Sequence, residues 1–260
     1  MARVSARAGS KSALAYVEHA LPGDARQRLE LAQRLGLALE VADRPETELE
    51  GIASSGLAVA TIQAWRMHEV HPLRPDSRAR VEALDVVEHA MDVATRLGAK
   101  RVLTVCGFGQ EPVDAPFERS LEFFLALAPR ARERGLSILI EPLSPLRAAH
   151  MTSLDDQLRL MAALAGEGCF ATAFDTGHLV DGGHDPATVL TAWPHPIAEL
   201  QLRAAASEAP SEATPLEGWI AALPASTQVV AIEHHRPLDP RVLERLIARV
   251  RAALAHLGRG

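Results

Sequence analysis

Apolar positions along the chain fall into short runs, each followed by a longer stretch in which they recur at helical spacing. The runs at 13–17, 37–41, 57–62, 101–105, 137–141, 169–173, 197–202 and 228–233 read as buried strands. Between and after them, helices are expected over 24–35, 45–54, 77–97, 117–134, 154–164, 185–193, 216–223 and 240–256. Val81, Leu84, Val87, Ala90 and Val93 form the clearest apolar stripe. The punctuation agrees with this division. Asp24 stands where a helix cap belongs, Gly36, Gly98 and Gly135 stand where helices end, and Pro142 stops the fifth strand.

Eight strand-then-helix units predict an α/β chain folded as a single (β/α)8 TIM barrel, because parallel strands need helical crossovers and eight units close the sheet. A doubly wound open sheet is the competitor. It would carry a glycine-rich phosphate turn after its first strand, and none stands there. The barrel is expected over 13–260 and residues 1–12 as a flexible leader, since that stretch holds Arg3, Arg7 and Lys11 without an acid and lacks the apolar centre of a secretory signal.

Composition narrows the function classes. The 260 residues are 48% hydrophobic, and 27 basic against 33 acidic side chains give a formal net charge of −6. That balance offers nothing to nucleic acid or to an anionic membrane. No apolar stretch approaches the roughly 20 residues of a membrane span. Cys106 and Cys169 lie in separate apolar runs and make no disulfide framework. A cytoplasmic soluble protein is expected.

The candidate chemistry lies at strand ends. In such barrels reactive groups sit at the C-terminal end of the strands. Those positions hold Glu40, Glu141, Asp175 with His178 just beyond, Gln201 and Glu233. Taken alone, Phe174-Asp175-Thr176-Gly177-His178-Leu179 reads as a turn in which Asp175 or Thr176 bonds the local backbone. Set among the other carboxylates, it reads as part of a site. Acids and an amide oxygen converging on one mouth need a cation, and an oxygen-rich shell suits Mg²⁺ or Mn²⁺ better than zinc. On the third-strand loop Trp65, His68 and His71 can face a substrate, and beyond strand five Arg147 and His150 can meet an anionic one.

From Tyr16 onward the chain resembles the xylose-isomerase-like superfamily of sugar isomerases and epimerases. The resemblance is carried by Ile138-Leu139-Ile140-Glu141-Pro142-Leu143, by the segment from Phe174 to Leu179, and by Val230-Ala231-Ile232-Glu233, with support from His71-Pro72-Leu73 and from 97–102. It implies a metal held by Glu141, Asp175, Gln201 and Glu233, with Glu141 and Glu233 moving a substrate proton through a metal-stabilised enediolate. His178 is then a substrate contact, and Trp65, His71, Arg147, His235 and Glu40 are further candidates for one. Gln at the seventh-strand position is similar to the hydroxypyruvate isomerase branch. The resemblance also implies a small polyhydroxy or keto substrate and a possible homodimer.

The chain departs from that pattern after strand seven. Gln201-Leu202 runs into Arg203-Ala204-Ala205-Ala206-Ser207, where relatives carry an Asp and then a substrate-binding Arg, and Arg203 stands too early to replace it securely. Ser144 stands where relatives favour Asn, and His234 precedes His235. The expected function is therefore a divalent-metal-dependent isomerase or epimerase of a specialised substrate. The alternatives are a lyase or dehydratase on the same site, or a barrel that has lost catalysis and serves as a partner subunit.

Overall fold

Alternation within the strands sorts their side chains into two layers. One set packs outward against the helices and builds the main core, with Leu39, Ile138, Ile140, Phe174, Leu200 and Val230 meeting Val87, Phe124, Leu127 and Ile247. The other set points into the barrel. In the computed structural model, which describes residues 12–44 and 46–259, the strands are β1 (Ala13–Val17), β2 (Ala38–Ala42), β3 (Val59–Gln63), β4 (Arg101–Val105), β5 (Ser137–Glu141), β6 (Phe170–Asp175), β7 (Ile197–Leu202) and β8 (Val229–Ile232). They pair in parallel in chain order, and β8 closes on β1 through Ala13↔Val229 to Tyr16↔Ile232.

The helices are α1 (Ala25–Arg34), α2 (Glu46–Ser55), α3 (Ser77–Leu97), α4 (Pro116–Arg134), α5 (Leu154–Leu164), α6 (Thr176–Asp181), α7 (Pro186–Ala192), α8 (Leu216–Ala221) and α9 (Pro240–His256). None is long and apolar enough to cross a membrane. Asp24 caps α1 in a capping box with Gln27, and Gly98 and Gly135 end α3 and α4 with positive φ, as their positions suggested. The helix α6 was not expected. It is too short to show a period, and it starts directly where β6 ends. Cys106 and Cys169 are buried and unpaired. The proposed leader lies outside the described residues as far as residue 11. Ser12 is tied down, its Oγ donating to the Thr227 carbonyl at 2.8 Å.

Inside the barrel, small residues make room for polar ones. Leu103, Leu139, Ala171, Ala173 and Ala198 form one apolar patch, and Ala15, Ala60, Val229 and Ala231 form another. Glu40, Thr61, Gln63, Glu199 and Gln201 are buried along the strands between them. Gln63 Nε2 and Gln201 Nε2 each donate to Glu40 Oε1 at 2.7 Å. Thr61 Oγ1 donates to Glu199. The Glu40 and Glu199 carboxyls are neighbours in this floor, and two buried carboxyls side by side resist ionising together. Burial and then the Glu199 charge push the Glu40 carboxyl well above the ordinary carboxylate range, and burial also raises Glu199. This network is the floor under the site.

A carboxyl whose folded pKa is raised favours the fold below its ordinary pKa, and that contribution is lost as pH rises. Glu40→Gln keeps an oxygen for the two amide donors and cannot ionise. It is expected to flatten the loss of stability between pH 5 and pH 8 in urea denaturation. Glu40→Ala strands both donors and is expected to cost about 1–3 kcal/mol at pH 5. A Gln variant as pH-sensitive as the parent would refute the raised titration of Glu40.

Candidate active site

Four strand ends and the turn after β6 build the mouth. Glu141 is the last residue of β5, Asp175 the last of β6, and Glu233 the first beyond β8. All three are buried, as are His178 in α6 and Arg203 just past β7. The Asp175 carboxylate caps α6, Oδ1 accepting from the His178 N–H at 3.0 Å, so the local-turn reading of this segment is correct as well. The same carboxylate binds Arg203. Nε lies 2.9 Å from Oδ2 and donates to Oδ1 at 3.1 Å. Arg203 Nη1 lies 3.8 Å from Glu233 Oε1.

The residues after Asp175 serve that contact. Thr176 Oγ1 donates to the Arg203 carbonyl at 2.6 Å and accepts from its N–H at 2.9 Å. At Gly177 a Cβ would lie 2.6 Å from the Ala204 carbonyl oxygen and 2.8 Å from Arg203 Nε, so no larger residue fits without displacing them. Past Arg203 the chain turns sharply through Ala206 and Ser207, both in the left-handed region at φ 54° and 62°. The Asp181 carboxylate accepts from the Ala206 N–H at 3.1 Å, and the Ser207 carbonyl accepts from His235 N–H at 3.1 Å. This turn brings His235 to the mouth.

Burial governs the electrostatics. It pushes Glu141 well above the ordinary carboxylate range, helped by the charges of Asp175 and Glu233. It pushes Glu233 up to about 7 against the opposing pull of Arg203. It lowers His178 to about 4, leaving a neutral imidazole at neutral pH. His178 Nδ1 lies 3.3 Å from Ser144 Oγ, and Nε2 lies 3.7 Å from Glu141 Oε1. For Arg203, burial alone would lower the pKa, but the carboxylates of Asp175, Glu233 and Glu141 outweigh it.

A cavity opens above these groups, lined by Glu141, His178, Arg203 and Glu233. Of the expected site residues, Glu141, Glu233, His178, Arg147, His235 and Trp65 line it. Trp65 is placed by its backbone N–H, which donates to Asp43 Oδ1 at 2.6 Å. Arg147 lies over the Phe108 ring, 5.5 Å from its centroid. Two expected substrate contacts lie elsewhere. His71 borders a separate hollow with Arg74, Glu111 and His150, because the Gly107–Gly109 loop stands between. Glu40 is completely buried in the floor, committed to Gln63 and Gln201.

The donors test whether a metal ion fits. One ligand atom from each of Glu141, Asp175 and His178 can be chosen so that all lie within 4.8 Å of one another, a buried group that could hold a metal. The four-residue shell of Glu141, Asp175, Gln201 and Glu233 does not close around such a point. Glu233 is not in that group, and a guanidinium is docked between Asp175 and Glu233. Gln201 Oε1 is buried without a hydrogen-bond partner among the described residues. Arg203 is the residue whose position the motif reading did not anticipate. Its signal was parity: if Gln201 points into the barrel, so does the residue two further on.

A closed parallel barrel with an acidic mouth at the strand C-termini defines a (β/α)8 protein of the kind that carries reactive groups there. Residues 14–239 match the family described as the xylose isomerase-like TIM barrel, and the chain belongs to that family. Solved structures share the fold at low identity. A 3-keto-D-glucoside 4-epimerase from E. coli aligns with TM-score 0.75 and 16% identity over 95% of this chain and 99% of that one. A D-allulose 3-epimerase from Methylomonas sp., in complex with D-allulose, gives 0.74 and 17% over 91% and 89%. A D-psicose 3-epimerase in the presence of D-fructose gives 0.75 and 16% over 94% and 97%. No protein of curated function matches the sequence.

Thr176→Val removes both backbone clamps on Arg203 while keeping the side-chain volume. It is expected to lower stability by about 2 kcal/mol or more, because a buried N–H and C=O lose their partner. Thr176→Ser retains the hydroxyl and is expected to recover most of that loss in urea denaturation.

Proposed function

We propose that the mouth binds a small polyhydroxy or keto compound of the sugar class and isomerises or epimerises it by proton transfer. The observation that carries this reading is the pair Glu141 and Glu233. They are two buried carboxyl groups from separate strands that line one cavity, and both are held above the ordinary carboxylate range. The family, and solved neighbours named as sugar epimerases, support it.

Proton exchange at a carbon needs one carboxylate to accept and one carboxylic acid to donate at the same pH. Both are raised by burial, and the Glu233 charge raises Glu141 further, so the two resist being ionised at once. The ionised member takes the proton from the carbon beside the substrate carbonyl. The electron pair of that C–H bond passes to the carbonyl oxygen, giving an enediolate. The protonated member returns a proton to the other face, which inverts the centre, or to the neighbouring carbon, which moves the carbonyl. Neutral His178 and His235 can accept or donate hydrogen bonds to hydroxyl groups, and Trp65 and Phe108 cover the apolar face of a ring. Among the described residues Glu141, Asp175 and His178 are the ones that could hold a divalent ion, for which Mn²⁺ and Mg²⁺ suit the carboxylate donors; the Arg203 guanidinium on the same Asp175 would weaken such binding, and the steps above need no ion.

Carbon-bound deuterium exchange tests the pair directly. In D₂O, ketohexoses and 3-keto-glycosides are expected to gain deuterium beside the carbonyl, read by NMR. Glu141→Gln and Glu233→Gln are each expected to slow exchange by about 10²–10⁴-fold with unchanged urea curves. Full exchange in both variants would remove the assignment.

A further inference from the structure

Asp175, Thr176 and Gly177 all act on one side chain. The first binds the Arg203 guanidinium, the second holds its backbone N–H and C=O, and the third leaves the space it fills. Three successive residues committed to one arginine, itself only 3% exposed, make a built socket rather than a chance contact. We infer that Arg203 is the resident cation of the mouth. Its guanidinium occupies the space between Asp175 and Glu233 in which an ion would bridge them, and it meets the substrate oxygen on which charge develops.

Two observations carry the inference beyond a simple ion pair. The four-donor shell does not close, and the residue that interrupts it is this guanidinium. An ion entering between Asp175 and Glu233 would have to expel Arg203 and leave its charge buried and unpaired. Moreover, only Nε of the guanidinium makes a hydrogen bond among the described residues, while Nη1 stands 3.8 Å from Glu233, too far for one. Arg203 lines the cavity, so its Nη hydrogens remain for a ligand oxygen. As the C–H electron pair moves onto the carbonyl oxygen, these hydrogens stabilise the charge by hydrogen bonding, and no bond to Arg203 forms or breaks. This chemical role rests on the proton-transfer reading above. The exclusion of a bridging ion does not.

Calorimetric titration of the full chain with Mn²⁺ separates the two. The parent protein is expected to show no saturable site up to about 1 mM, and its melting temperature is expected to be unmoved by EDTA. Arg203→Gln, which removes the charge, is expected to gain one saturable Mn²⁺ site at least tenfold tighter than any in the parent and to melt higher with Mn²⁺ present. Arg203→Lys keeps a cation and is expected to behave as the parent does. Micromolar stoichiometric Mn²⁺ in the parent, or no gain in a folded Arg203→Gln protein, overturns the inference. Should Arg203→Gln not fold, the parent titration and its response to EDTA decide the question. Failure of every sugar to exchange deuterium would remove the proposed function and leave the titration result standing.

Discussion

Between Arg203 and Asp175 a buried guanidinium meets a buried carboxylate, and the mouth is arranged around keeping them together. Breaking such a pair from one side leaves a charge without solvent or partner, which costs about 3–5 kcal/mol. That penalty explains the local sequence. Thr176 fixes the arginine backbone, Gly177 gives up its side chain to make space, and the following residues are small enough to turn at once, with Ala206 and Ser207 in the left-handed region. The short helix α6 is a consequence too. Asp175 can cap it and still bind Arg203 because its two carboxylate oxygens offer several lone pairs.

The fold was legible because its signals are periodic and repeated eight times. Strand runs and helix stops recur often enough that no single misplaced boundary changes the topology, and the predicted bounds of α5 and α9 coincide with the observed ones. The site was legible only where a residue's role follows from its strand position. Glu141, Asp175 and Glu233 reach the mouth because they end inward-facing rows. Arg203 stands on such a row as well, but it lies earlier than the arginine of relatives, so strand parity and not motif spacing places it at the mouth. Gln201 shows the converse limit. A glutamine resembling a ligand in sequence spends its amide hydrogens on Glu40, a partner 161 residues away that no local pattern could supply. Glu40 was misplaced for the same reason: strand-end position alone cannot tell the mouth from the floor beneath it.

Charge counting joins floor and mouth into one system. The barrel interior holds the carboxyl groups of Glu40, Glu141, Asp175, Glu199 and Glu233, against the guanidiniums of Arg101 and Arg203. The carboxyls outnumber these guanidiniums even with Arg147 at the cavity wall, so negative charge remains to be balanced. In a low-dielectric interior, balance comes from retained protons or from bound cations. The raised carboxyls are Glu40, Glu141, Glu199 and Glu233, with Asp175 at the arginine. Burial raises Glu40 and Glu199 in the floor, where retained protons serve structure. Glu141 and Glu233 resist ionising together beside the cavity, so a proton stays there within reach of a ligand. A barrel that places its excess acids in two groups, one sealed by glutamines and one open to a pocket, thereby separates a structural proton from mobile ones. The arginine in its socket keeps the mobile group from needing a cation merely to fold.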